Sequence, residues 1–151
     1  MANLPNINLE NVALRLTELK GTEVTHAWRG HGSAIFLELG QLTDSARSKN
    51  ASGEQTIAIE WSWRIEDQNS ILLGSWDNEK EIDRFSELVM GATIESINFF
   101  TTLNEIDISF SNLHRLLSFS TAKGKPEWSI IFKNKDCLSV SENSFHIEKT
   151  T

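Results

Sequence analysis

Two stretches of the chain, about seventy residues apart, repeat one pattern. An internal repeat limits architecture strongly, because each copy has to be one supersecondary unit that buries its apolar face on a neighbour. The first copy reads Gly21-Thr-Glu-Val-Thr-His-Ala, followed by Ile35-Phe-Leu-Glu-Leu-Gly-Gln-Leu42. The second reads Gly91-Ala-Thr-Ile-Glu-Ser-Ile, followed by Ile106-Asp-Ile-Ser-Phe-Ser-Asn-Leu113. Farther along, Trp63-Arg-Ile65 answers Trp128-Ser-Ile130, and a turn then leads to a short apolar strand, Ile71-Leu-Leu73 or Cys137-Leu-Ser-Val140.

Each copy opens with a helical spacing. Leu9, Val12, Leu16 and Leu19 recur at steps of three and four, with Asn8 as the N-cap and Gly21 as the left-handed terminator. Ile82, Phe85 and Val89 line one face of a second helix that starts after Asp77 or Asn78 and stops at Gly91. The strands that follow have period two. Ile35, Leu37 and Leu39 alternate with Phe36 and Glu38, and Ile106, Ile108 and Phe110 with Asp107 and Ser109, so one face is expected to be buried and the other mostly wet. Ile57, Ile59, Trp61 and Trp63 alternate with Ala58, Glu60, Ser62 and Arg64, as one long bent strand or two. The counterpart splits, with Leu117 and Phe119 before the turn Thr121–Pro126 and Trp128, Ile130 and Phe132 after it. Thr43 to Gln55, rich in Ser, Asn, Lys and Gly, reads as an exposed, mobile loop.

A half of seventy-odd residues is marginal alone. The expected product is one domain over residues 1–151, built from repeats at about 8–76 and 77–149. Its class is α+β, mainly β: two tandem helix-plus-antiparallel-meander repeats related by pseudo-two-fold symmetry.

A net charge of −7 with no run of Lys and Arg argues against nucleic acid as a partner and leaves room for a basic protein. The single cysteine, Cys137, rules out an internal disulfide and a thiolate metal cage and fits a reducing compartment. The first residues lack a basic and apolar leader pattern, and no apolar run approaches the roughly 20 residues of a membrane span, so the expectation is a cytoplasmic protein without membrane contact. Strands at the sheet edges offer a route to a homodimer.

Chemistry-bearing patterns are sparse. His26, His31, His114 and His146 share no helix or strand spacing that builds a metal site, and no Gly-x-Ser-x-Gly, phosphate-loop or His-Glu-x-x-His pattern occurs. No catalytic residue, cofactor or metal is therefore assigned; an enzyme would need a site assembled by folding around His26, His31 or Arg29. Cys137 lies in an apolar strand and reads as a buried, inert thiol. Trp28-Arg-Gly-His-Gly32 has the glycines and cation of an anion nest, although a β-turn is the simpler reading.

The chain holds five tryptophans and no tyrosine. Trp63 and Trp128 occupy matching places in the two copies and are expected in the core. Trp28 and Trp76 have no counterpart, so the shared fold does not require them and they are the better candidates for a binding surface. Trp76 precedes Asp77, Glu79, Glu81 and Asp83, which suits a basic partner; the competing reading is a hydrophobic staple on an acidic first turn. The candidate binding residues are Trp28, Arg29, His31, Trp76, Asp77 and Glu79.

The pattern Glu60-Trp-Ser-Trp-Arg-Ile-Glu66, Ile71-Leu-Leu-Gly-Ser75, a short helix, Gly91-x-x-Ile-x-x-Ile and Ile106-Asp-Ile-x-Phe resembles small uncharacterised bacterial proteins that pair a Trp-Arg-Ile-Glu strand with a Gly-x-x-Val-x-x-Val meander. The resemblance spans about residues 20 to 140 and rests on strand residues and turn glycines. Some proteins of this look lie among toxin-immunity and defence loci, which implies a protein-binding role. The expected function is a non-catalytic cytoplasmic protein-binding module of the immunity type, with a small-ligand module enclosing a pocket between the repeats as the alternative.

Overall fold

The computed structural model describes residues 6–7, 9–60, 62–100, 103–123, 128–141 and 144–150. Asn8, Trp61, the Leu9 side chain and Gly124 to Pro126 of the predicted turn lie outside the described residues.

The chain opens with β1 (Asn6–Ile7) and α1 (Leu9–Leu16), which tightens into a 3₁₀ turn over Thr17–Leu19. Val12, Leu16 and Leu19 are buried, as their spacing predicts. Strands β2 (Val24–Arg29), β3 (Ile35–Leu39), β4 (Gln55–Ile59), β5 (Trp63–Glu66) and β6 (Ile71–Gly74) follow. The predicted second helix is two short ones, α2 (Glu79–Ile82) and α3 (Phe85–Val89), separated at Asp83 and Arg84. Asn78 is the N-cap of α2 and accepts from the Glu81 N–H at 3.0 Å. Then come β7 (Ile94–Phe100), β8 (Glu105–Phe110), β9 (Arg115–Ser118), β10 (Trp128–Ile131), β11 (Asp136–Ser141) and β12 (Ser144–Lys149).

The strands form two antiparallel sheets, a seven-stranded one in the order β1-β12-β11-β10-β4-β3-β2 and a five-stranded one in the order β6-β5-β9-β8-β7. The chain changes sheets twice. It leaves the seven-stranded sheet between β4 and β5 and returns between β9 and β10, so that β10 pairs with β4, and β5 with β9. The stretch read as one bent strand or two is thus two strands in different sheets. Its alternation fails at the crossing, where Ser62 and Trp63 are both fully buried.

At one corner the sheets are tied by backbone. The Gly21 N–H donates to the Ile94 carbonyl at 2.7 Å and the Gly91 N–H to the Val24 carbonyl at 2.9 Å, around an antiparallel bridge between Glu23 and Thr93. Gly21 and Gly91 sit at φ +83° and +86°, and a Cβ on either would meet nothing within 4 Å. The requirement for glycine here is conformational, not steric. Gly21→Ala and Gly91→Ala are each expected to cost about 1 kcal/mol, a fall in Tm of roughly 2–4 °C by calorimetry.

The buried side chains form one cluster between the sheets, including Trp63, Phe85, Phe110, Trp128 and Phe132. The helices cross over: α3 packs on β2, and the 3₁₀ turn after α1 packs on β7.

Three further expectations are corrected. Gln55, assigned to the loop, is the first residue of β4 and buried. Glu38, assigned to a wet face, is only 2% exposed. Its carboxylate accepts from Trp28 Nε1–H at 3.0 Å, the Gly53 N–H at 3.4 Å and the Thr56 hydroxyl, which offsets the burial of the charge. Cys137 is half-buried, on the outer face of β11 beside Glu148, not sealed in the core; burial and then the Glu148 carboxylate raise its thiol pKa, which leaves it a poor nucleophile.

Candidate functional site

The turn between β6 and α2 is built by its own polar groups. The Gly74 N–H donates to Asp77 Oδ2 at 2.8 Å and the Asp77 N–H returns to the Gly74 carbonyl at 3.0 Å. Ser75 is pinned beneath: its N–H donates to the Trp63 carbonyl at 2.9 Å, and its hydroxyl accepts the Trp63 N–H at 3.0 Å. This leaves Trp76 at the tip with 76% of its surface exposed. The staple reading expects an indole packed down on the helix, whereas most of the surface of Trp76 is exposed. Asp77 spends its carboxylate on the turn, while Glu79 and Glu81 face solvent with side chains 70% and 55% exposed.

Arg29, at the end of β2, reaches across to this segment. Its Nε–H donates to Asp83 Oδ1 at 2.6 Å, and Glu79 Oε2 lies 3.9 Å from Nη2. The hydrogen bond to Asp83 raises the Arg29 pKa further above its ordinary value, with Glu79 adding to the field. Nη1 donates to the carbonyls of Gly32 at 3.1 Å and Gly30 at 3.4 Å. The loop from Gly30 to Ser33 therefore turns carbonyl oxygens toward a cation, the reverse of an anion nest. The Gly30 N–H donates to the Ala34 carbonyl at 2.8 Å, closing the β2–β3 turn, and His31 is exposed at its tip. Arg29 and Glu79 thus meet, through a partner, Asp83, that local sequence does not pair with Arg29.

Trp28 does not join them. Adjacent strand residues point to opposite faces, and Trp28 lies half-buried on the outer side of the seven-stranded sheet. It stacks on Phe36 with ring centroids 4.1 Å apart and an interplanar angle of 10°. Gly30 lets that ring come close, since a Cβ there would sit 2.7 Å from Phe36 Cε2. Phe36, with Ala34, Glu60 and the turn residues His31, Gly32 and Ser33, lines one depression; Phe36, Ala34 and Glu60 also line a second with Ala58, Ser129 and Ser139. The period-two alternation places Phe36 and Ala58 on the outer face, but that they line a depression together with Ser129 depends on strand order, which the alternation does not give.

The outer face of the five-stranded sheet has a different character. Arg115 donates to Asp107 at 2.8 Å and to Glu66 at 3.4 Å, and Arg64 donates to Glu66 at 3.0 Å. On that face both arginines are paired with carboxylates.

Among the described residues no three His, Cys, Asp or Glu side chains converge as metal ligands. No helix in the described residues is long and apolar enough to cross a membrane. Compared with protein-family models, curated proteins and solved structures, the chain matches none.

Proposed function

We propose that this protein is a non-catalytic cytoplasmic binding module that engages a basic protein, of the immunity type in which a small acidic protein occludes the working surface of a toxin. The observation that carries the reading is Trp76. A large aromatic that is 76% exposed, held up by a hydrogen-bonded turn and followed by exposed Glu79 and Glu81, suits a protein contact better than a fold requirement. Acidic side chains around an aromatic anchor favour Lys- or Arg-bearing partners and disfavour nucleic acid.

The same reading takes the fold as a duplicated unit with pseudo-two-fold symmetry. Supporting it, each half gives three strands to one sheet and at least two to the other, and Gly21 and Gly91 bond reciprocally around the Glu23–Thr93 bridge. The indoles of Trp63 and Trp128 donate to the carbonyls of Ser33 and Asn104, at equivalent places in the two hairpins, at 2.7 and 3.0 Å. Under that relation Trp28 corresponds to Asn98, Phe36 to Asp107 and Ser129 to Arg64, so the residues that differ between halves lie on the outer faces. The space a ligand between the repeats would need is occupied by Trp63, Phe85, Phe110 and Phe132. Of the edge strands, β2 has α3 packed on it and β6 has α2, which makes pairing through those two edges less favoured.

Affinity purification from the native host, with mass spectrometry of the eluate, tests this. A stoichiometric basic protein is expected with the unaltered chain. Trp76→Ala is expected to weaken that complex about thirty-fold, the roughly 2 kcal/mol of an interface hot spot. Glu81→Lys is expected to weaken it and to reduce its salt dependence. Glu81 is chosen over Asp77, whose reversal would break the turn. A complex unchanged in both variants removes this surface from consideration; a retained metabolite and no protein replaces the reading with a ligand module.

A further inference from the structure

The outer face of the seven-stranded sheet carries a row set by strand register: Trp28, Phe36, Ala58, Ser129, Ser139 and His146 stand side by side across six strands. Aromatic rings occupy one end, an imidazole the other, and three small side chains the middle. Phe36 and His146 are four strand spacings apart, roughly 19 Å. Trp28 holds one face of the Phe36 ring, and Gly30 admits its edge, so the wall is rigid before anything binds. The depression over Ala58 and Ser129 has a volume of about 290 Å³. That is at the lower limit of small-molecule sites, which run from about 300 to 1,000 Å³, and suits one large side chain better than a metabolite.

Charge distinguishes the occupant further. Glu60 and Glu148 are exposed on this face, Glu38 is buried behind Trp28, and its described strand residues include no Lys or Arg. Glu60 makes no ion pair among the described residues. The corresponding face of the other sheet, by contrast, carries Arg115 and Arg64, which pair with Asp107 and Glu66. Beyond the turn that borders the depression, α2 adds the exposed Glu79 and Glu81.

We infer that this trough is a second contact region for the basic partner: it receives one aromatic side chain against Phe36 and over Ala58 and Ser129, with flanking Lys or Arg residues meeting Glu60 and Glu148. The inference rests on the binding-module reading but concerns a different face from Trp76.

The test titrates the ¹⁵N-labelled full chain with three capped pentapeptides, Lys-Lys-Trp-Lys-Lys, Lys-Lys-Gly-Lys-Lys and Glu-Glu-Trp-Glu-Glu, and follows amide shifts. The first is expected to move Phe36, Ala58, Ser129 and Ser139, at least tenfold more tightly than either control, and Ser129→Arg is expected to abolish the response. Ala58→Gln serves as a second blocking variant should Ser129→Arg lose its dispersed spectrum. Equal shifts from the acidic peptide overturn the assigned chemistry. Shifts confined to residues 76–83 overturn the trough and leave the Trp76 reading standing, whereas no shift at either place counts against both.

Discussion

Trp63→Ala is expected to cost about 3–5 kcal/mol, the range for removing a buried large aromatic, and to lower Tm by roughly 6–20 °C. Trp63 has no exposed surface and its ring lies 5.8 Å from that of Phe85. Its indole N–H donates to the Ser33 carbonyl at 2.7 Å, and its backbone N–H and carbonyl fix Ser75. The side chain therefore joins the β2–β3 turn to the core, while the backbone of the same residue holds the turn below Trp76. Trp63→Phe separates the contributions: the apolar ring survives, the Ser33 carbonyl loses its donor, and the cost should fall to about 1–3 kcal/mol. Trp76→Ala provides the contrast, with a change within about 0.5 kcal/mol as for an exposed position. Urea unfolding of the three variants measures all of this, and a Trp76→Ala cost approaching that of Trp63→Ala would mean that Trp76 is a fold residue.

Cutting the chain between Trp76 and Asp77 is expected to abolish cooperative folding of both pieces. In residues 77–151 alone, β9 would lack β5 and β10 would lack β4, while β7 and β10 belong to different sheets. Each piece would also lose the helical segment that covers it, since α3 packs on β2 and the 3₁₀ turn on β7. The whole stability, on the order of 5–15 kcal/mol for a domain of this kind, is then forfeited rather than halved. Circular dichroism melts of each piece should show no sigmoidal transition, and mixing the two should restore one. A cooperative melt from either piece alone would overturn the dependence.

Local elements were largely legible in the sequence because their causes are local. The helical spacing of Val12, Leu16 and Leu19, the cap at Asn78 and the alternation in β3 and β8 all depend on neighbours within a few residues. What sequence left open depends on contacts across the chain. Glu38 reads as a wet strand residue unless Trp28, Gly53 and Thr56 are known to surround it. The crossing at Ser62 is invisible because alternation says which residues share a face, not which sheet they join. Trp76 stands out in the sequence as an aromatic present in one half only, but its exposure depends on Asp77 turning back to Gly74. For the site, the sequence brought out the aromatics present in one half only. It did not reveal that Trp28 stands against Phe36, or that Arg29 is held by Asp83.

The exchange of strands between sheets also places the protein under a constraint of time while it is being made. When β4 leaves the ribosome, its neighbour β10 will follow only some seventy residues later. At about 5–20 residues per second, the nascent chain spends roughly 3.5–14 s with an unfilled sheet edge. An unpaired, apolar edge is a template for association with other chains, so newborn molecules depend on dilution or chaperone cover until the second half arrives.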